Sequence, residues 1–172
     1  MAGFQNKKNF PGFTLIEVLI YAAIFAVVSV LVLDVIFLMA KTTKQLKAGR
    51  DINSAAASII ERMTREIKLA DGIDVSESSF DASPGKLVLN SIDFKTEESA
   101  TIAFYLAGTN LMMQKDSLAA EALNSPKVKV SSLVFREVEN SVQSKAVKIE
   151  LEIKALSKTE KFYNSAILRR SY

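Results

Sequence analysis

The chain has 172 residues, of which 49% are hydrophobic, and it carries a formal net charge of +3 at pH 7. It contains neither cysteine nor histidine, which rules out disulfides and thiolate metal sites and removes the commonest general base and metal ligand. A charge this close to zero also lacks the basic excess of a nucleic-acid-binding protein. We therefore expect a non-enzymatic protein with no cofactor, no metal site and no nucleic-acid partner.

Residues 13–40 form an apolar segment with only two charged side chains, Glu17 and Asp34. The uncharged stretch between them spans about 24 Å as a helix, and its flanks bring the segment to bilayer thickness. A cleaved secretory signal would have a shorter apolar run that ends in a small-x-small cleavage site. The segment therefore predicts a membrane-spanning helix, and an uncleaved signal anchor is the main alternative to a processed form.

A short basic leader precedes this helix, and the sequence at the junction is Gly12-Phe13-Thr14-Leu15-Ile16-Glu17-Val18-Leu19-Ile20. This stretch closely resembles the cleavage and methylation motif of type IV prepilins and type II secretion pseudopilins. The resemblance implies that a prepilin peptidase and methyltransferase cuts between Gly12 and Phe13 and methylates the new amine of Phe13. Glu17 would then be the fifth residue of the mature chain.

The chemistry of the cut gives Glu17 a role. Cleavage creates an amine that is cationic at neutral pH, at the tip of an apolar helix. A carboxylate four residues into the helix can pair with that amine on its own chain or on a displaced neighbour, whereas one unpaired buried charge costs about 3 to 5 kcal/mol. We thus expect Phe13 and Glu17 to pair during subunit assembly. The alternative is a solvated Glu17 favoured by the helix dipole.

Beyond the membrane segment, the periodicity predicts that the helix continues as an amphipathic half over residues 41–71. Its apolar stripe consists of residues three and four apart: Leu46, Gly49, Ile52, Ala56, Ile59, Met63, Ile67 and Ala70. Asp71-Gly72 provides a stop signal. Gly49 is the weakest point, since glycine in an exposed helix costs about 1 kcal/mol relative to alanine.

From residue 72 the pattern changes to the alternation of β-strands. Strands are predicted near residues 87–89, 102–106, 111–113, 128–138, 147–153 and 161–169, with a hairpin turn at Gly108-Thr109-Asn110, a loop or helical turn over 119–126 and a turn near Asn140. The amphipathic helix half is expected to cover one face of this antiparallel sheet. The predicted class is therefore α+β, and the order of elements is similar to that of pilins, most closely the J-type minor pseudopilins.

The predicted organisation is a leader at 1–12, a transmembrane or filament-core helix at 13–40, an amphipathic half at 41–71 and a β domain at 72–172. The resemblance implies a minor pilin or pseudopilin, with other pilins, an inner-membrane assembly platform and the lipid bilayer as partners. Its C-terminal domain would lie outside the cytoplasmic membrane and later in a filament. The alternatives are an exposed adhesion or DNA-uptake subunit and an unprocessed single-pass anchor.

An acidic stretch made by Asp71, Asp74, Glu77 and Asp81 raises the question of calcium. Calcium needs about six to eight oxygens at one point, which four spaced acids do not provide. We expect a solvated loop.

Overall fold

The structure is a computed structural model that describes residue 12 and residues 14–92, 99–141 and 144–168. The chain divides into two compact units, Met1–Thr43 and Lys44–Tyr172. One helix, α1 (Leu15–Leu69), provides the described secondary structure of the first unit and the beginning of the second.

In the second unit, α1 buries one stripe: Ala48, Gly49, Ile52, Ala56, Ile59, Met63 and Ile67. The predicted stripe is confirmed except at its start, because Leu46 is 62% exposed and Ala48 is 2% exposed. Helical periodicity gives the direction of the stripe but not the point at which packing begins. Beside this stripe, the Arg62 guanidinium lies 3.2 Å from the Glu66 carboxylate, an ion pair between residues four apart on the helix.

Five antiparallel strands form the first sheet in sequence order: β1 (Gly72–Ile73), β2 (Lys86–Ile92), β3 (Ser99–Ala107), β4 (Asn110–Lys115) and β5 (Glu121–Ala122). The predicted hairpin is confirmed, since Ala107 pairs with Asn110 across Gly108 and Thr109. Gly108 has a φ of 63°, a conformation that glycine adopts without strain. β1 and β5 were not predicted, because two residues show no alternation.

The remaining strands form a second, three-stranded antiparallel sheet of β6 (Lys129–Ser141), β7 (Ser144–Ala155) and β8 (Lys158–Ile167). β6 and β7 extend beyond their predicted bounds and pair as far as Ser141 and Ser144, so Asn140, near which the turn was predicted, lies at an irregularity of the register in β6. The last strand begins at Lys158, earlier than predicted, because its first residues are polar and carry no apolar alternation. The single predicted sheet is thus two sheets, although the α+β class is confirmed.

Backbone contacts connect β6 to the chain of the first sheet. The Gly85 N–H donates to the Leu133 carbonyl at 2.8 Å, and the Val130 N–H donates to the Thr109 carbonyl at 2.9 Å. A Cβ at Gly85 would lie 3.0 Å from the Leu133 oxygen, so this close approach requires glycine. One continuous core collects the buried stripe of α1 and the inner faces of both sheets, with Phe104 and Phe135 as its largest fully buried side chains.

Candidate functional site

The predicted processing junction lies just before α1. Gly12 is exposed, and a Cβ built on it would meet nothing within 4 Å. Packing within the described chain therefore does not require a glycine at this position. Phe13, the other residue of the predicted junction, lies outside the described residues.

The helix begins directly after the junction. The N–H groups of Glu17 and Val18 donate to the Thr14 carbonyl at 3.1 and 3.3 Å and so close the first turn. Glu17 thus stands in the first turn of α1, where the helix dipole favours a carboxylate. The segment that follows the junction is already helical, with its acidic residue close to the helix N-terminus.

The Glu17 side chain is partly buried against its own helix, and its carboxylate has a hydrogen-bond partner on that helix. The Tyr21 hydroxyl, four residues on, donates to Glu17 Oε1 at 3.2 Å. This contact restrains the rotamer of Glu17 and leaves its other oxygen available. Tyr21 was not predicted as a partner of Glu17, although a spacing of four between a carboxylate and a phenol on a helix is a usable signal.

Within the part of the chain that the structure describes, the apolar part of α1 is uncovered. Residues 15–39 include large apolar side chains that are 49% to 84% exposed, with Leu15, Phe25 and Phe37 among the most exposed. The most apolar 18-residue stretch of the helix has a mean hydropathy of 2.8, and none of it is buried. A helix that is apolar all round needs a bilayer or other helices as its surroundings. Membrane anchoring through α1 accounts for this exposure.

Polar residues mark the end of the apolar stretch. The Thr42 and Thr43 hydroxyls donate to the Leu38 and Met39 carbonyls at 3.0 and 2.8 Å. Because these hydroxyls are satisfied within the helix, they add little cost at an apolar boundary. Asp34, the second charge of the segment, is exposed on the helix.

The acidic stretch after the helix is a loop with internal partners. Asp74 accepts hydrogen bonds from the Ser76 hydroxyl and from the N–H groups of Ser76 and Glu77, and these bonds lower the pKa of its carboxyl. Glu77 lies 3.5 Å from Lys86, and Asp81 lies 2.7 Å from Arg136. Within the described ranges, no group of three acidic side chains converges on a point that could hold a metal ion.

The outer face of the second sheet is covered by a network of ion pairs. Arg136 lies 3.0 Å from Glu150, and Lys148 lies 3.1 Å from the same carboxylate. Hydrogen bonding from Arg136 and then Lys148 lowers the pKa of Glu150, and hydrogen bonding to Glu150 raises the pKa of Arg136. The charges of these side chains partly neutralise one another, as is common for ion pairs on the surface of a folded domain.

One segment of the chain matches a known protein family. Residues 7–33 match the family model described as the prokaryotic N-terminal methylation motif, which covers well under half of the chain. No curated protein and no solved structure matches the chain. The matched segment comprises the junction, Glu17 and most of the exposed apolar helix. Together with the α+β fold, the motif supports a pilin-like or pseudopilin-like protein that is processed by a prepilin peptidase, anchored in a membrane and assembled with other pilins.

Proposed function

We propose that this protein is a minor pilin or pseudopilin, a structural subunit of a type IV pilus-like or type II secretion filament that assists filament initiation. The observation that carries the proposal is the methylation motif at residues 7–33, which includes the start of the exposed apolar helix and Glu17 in its first turn. No described residue lies within 4 Å of a Cβ built on Gly12, which supports a requirement for glycine imposed by a peptidase rather than by packing.

In this proposal the peptidase cuts between Gly12 and Phe13 and methylates Phe13. Removal of residues 1–12 leaves a helix whose residues 13–40 lie first in the bilayer and then in the filament core. Residues 41–71 and 72–172 remain outside the cytoplasmic membrane, and the N-terminus faces the cytoplasm before the cut. A filament of such helices provides the apolar surroundings that the isolated chain lacks.

Pairing between the Phe13 amine and Glu17 would set the register of neighbouring subunits. The Tyr21 hydroxyl occupies one Glu17 oxygen, so the other can accept from a neighbour's amine. Burying an amine without that carboxylate costs about 3 to 5 kcal/mol, which selects the displacement at which the pair forms.

A minor role is supported by the absence of proline between residues 13 and 70. Major pilins commonly carry a proline in this helix, and Asp34 stands near its usual place. The assignment to the J-type minor pseudopilins is a proposal that rests on the resemblance of the sequence alone. By the same resemblance, the uppermost tip subunit often lacks the glutamate that this chain retains as Glu17.

Replacing Gly12 with leucine tests the processing step. We expect the variant to remain a precursor that is twelve residues longer than the mature chain, visible by intact mass. The wild-type chain should give an N-terminal sequence that begins at methylated Phe13. Sequencing that begins before Phe13 in the wild type would instead support an unprocessed membrane anchor.

Replacing Glu17 with valine tests the pairing. We expect Glu17→Val to insert into the membrane but to enter filaments poorly, by about two orders of magnitude or more if the full cost of an unpaired amine applies. Asp34→Val is the matched control, because it removes a carboxylate from the same helix. Equal incorporation of Glu17→Val and wild type in a filament pull-down would refute the pairing.

A further inference from the structure

Four cations follow the apolar segment at intervals of three residues: Lys41, Lys44, Lys47 and Arg50. We call this set the basic collar. No acidic residue occurs between Asp34 and Asp51, so the collar is a charge cluster of one sign. All four side chains belong to α1 and are exposed.

The collar differs from most of the other described cations in having no ion-pair partner among the described residues. In the part of the chain that the structure describes, no carboxylate lies within ion-pair distance of any collar residue. Ion pairs do hold eight other cations: Arg62, Arg65, Lys86, Arg136, Lys145, Lys148, Lys158 and Lys161. The collar charges are therefore available to an external anion.

The position of the collar favours a membrane surface as that anion. Along a helix, Lys47 is at most about 10 Å and Arg50 at most about 15 Å beyond Ala40. A headgroup layer of about 5 to 7 Å and a Debye length of about 8 Å together cover that distance. Long cationic side chains also extend toward the interface while their stems remain in contact with apolar surface.

The distribution of the charges around the helix argues in the same direction. A step of three residues turns the helix by about 300°, so each collar residue lies about 60° from the previous one and the four cover half of the circumference. A groove on a protein partner would favour a single narrow stripe, whereas a headgroup layer can contact cations spread over a whole side of the helix. Leu46, 62% exposed between Lys44 and Lys47, fits the apolar part of such an interface.

The number of cations on each side of the apolar segment also supports a binding role for the collar. The leader carries Lys7 and Lys8, fewer cations than the collar on the other side of the apolar segment. Because cations near a membrane segment favour the cytoplasmic side, the collar opposes the orientation proposed above. A binding role would explain why these cations lie on the side of the C-terminal domain.

We propose that the basic collar binds anionic phospholipid headgroups of the leaflet that faces the C-terminal domain and holds this domain at the membrane surface. The inference rests on membrane anchoring and requires neither cleavage nor filament assembly. Entry into a filament would then require release of these headgroup contacts.

The test uses the full chain reconstituted in phosphatidylcholine bilayers with trace spin-labelled phosphatidylglycerol or spin-labelled phosphatidylcholine. The fraction of each lipid that is immobilised by the protein gives its relative association. Each cation near an anionic surface contributes about a fivefold gain at most, so we expect the wild type to prefer phosphatidylglycerol severalfold. The preference should fall as salt is added.

The variant Lys41→Gln/Lys44→Gln/Lys47→Gln/Arg50→Gln should lower this preference severalfold. The matched control is Lys68→Gln/Lys127→Gln/Lys129→Gln/Lys154→Gln, which removes the same charge from exposed positions at the end of α1 and in the β strands and their loops, and it should keep the wild-type preference. Equal association of both lipids with the wild type, or an unchanged preference in the collar variant, would overturn the proposal. A collar variant that loses only an acidic protein partner, with lipid selectivity intact, would also overturn it. Failure of the Gly12 or Glu17 tests would leave this result unaffected.

Discussion

Asn124 is a buried polar side chain with two short hydrogen bonds, so the loss of stability on its replacement can be worked out from the structure. It is 7% exposed and lies between the first sheet and β6. Its Oδ1 accepts from the Leu111 N–H at 2.7 Å, and its Nδ2 donates to the Val128 carbonyl at 2.7 Å. One side chain thus connects the start of β4 to the residue that precedes β6.

Replacing Asn124 with leucine keeps the size of the side chain and removes these two short hydrogen bonds, together with the longer ones from Nδ2 to Asn110 Oδ1 at 3.3 Å and to the Thr109 carbonyl at 3.5 Å. Each buried partner left unsatisfied costs about 1 to 3 kcal/mol, so we expect the free energy of unfolding to fall by about 2 to 6 kcal/mol. A loss of this size is a large part of the stability of an ordinary domain, which is about 5 to 15 kcal/mol. The second unit should become marginally stable.

The assay is urea unfolding of the full chain in mild detergent, followed by far-ultraviolet circular dichroism. Hydrogen exchange by mass spectrometry adds a local readout, because peptides containing Leu111 and Val128 should lose protection first. Asn90→Leu, at an exposed position of β2, is the matched control and should change stability by no more than about 0.5 kcal/mol. If Asn124→Leu behaves like Asn90→Leu, the two hydrogen bonds do not hold the sheets together.

Two further predictions concern the helix and the sheet surface. Gly49→Ala should stabilise the second unit by up to about 1 kcal/mol in urea unfolding. The new Cβ would lie 3.0 Å from the flexible end of the Lys158 side chain, which can move away. If Gly49→Ala lowers the free energy of unfolding even when Lys158 is also replaced with alanine, the prediction is wrong. The pKa of Glu150 is lower in the folded than in the unfolded protein. The ionised carboxylate therefore stabilises the fold at pH values above about 4.5, and this stabilisation is lost as the pH falls below that value. The urea midpoint should therefore decline in acid less steeply in Glu150→Gln than in the wild type, and identical slopes would exclude this role.

The sequence predicted the elements whose pattern is long and local. The apolar segment, the stripe from Ile52 to Ile67 and the alternation in β7 each repeat several times, so chance deviations average out. The hairpin at Gly108 was predictable because its turn requires a special backbone conformation. The motif around Gly12 and Glu17 was readable because a processing site is recognised along the chain rather than across the fold.

Other features depend on which elements meet in space. Leu46 continues the stripe in sequence but lies outside the packed part of the helix, and Asn124 gives no sign in the sequence of its two buried partners. The division into two sheets was likewise undecided, because alternation gives the face of a strand and not its neighbours. The sequence by itself thus determined the membrane helix, the processing motif and the α+β class through local periodicity. Only the tertiary structure decided where helix packing begins, how the strands are shared between two sheets and which cations remain unpaired, since each depends on contacts between residues far apart in the chain.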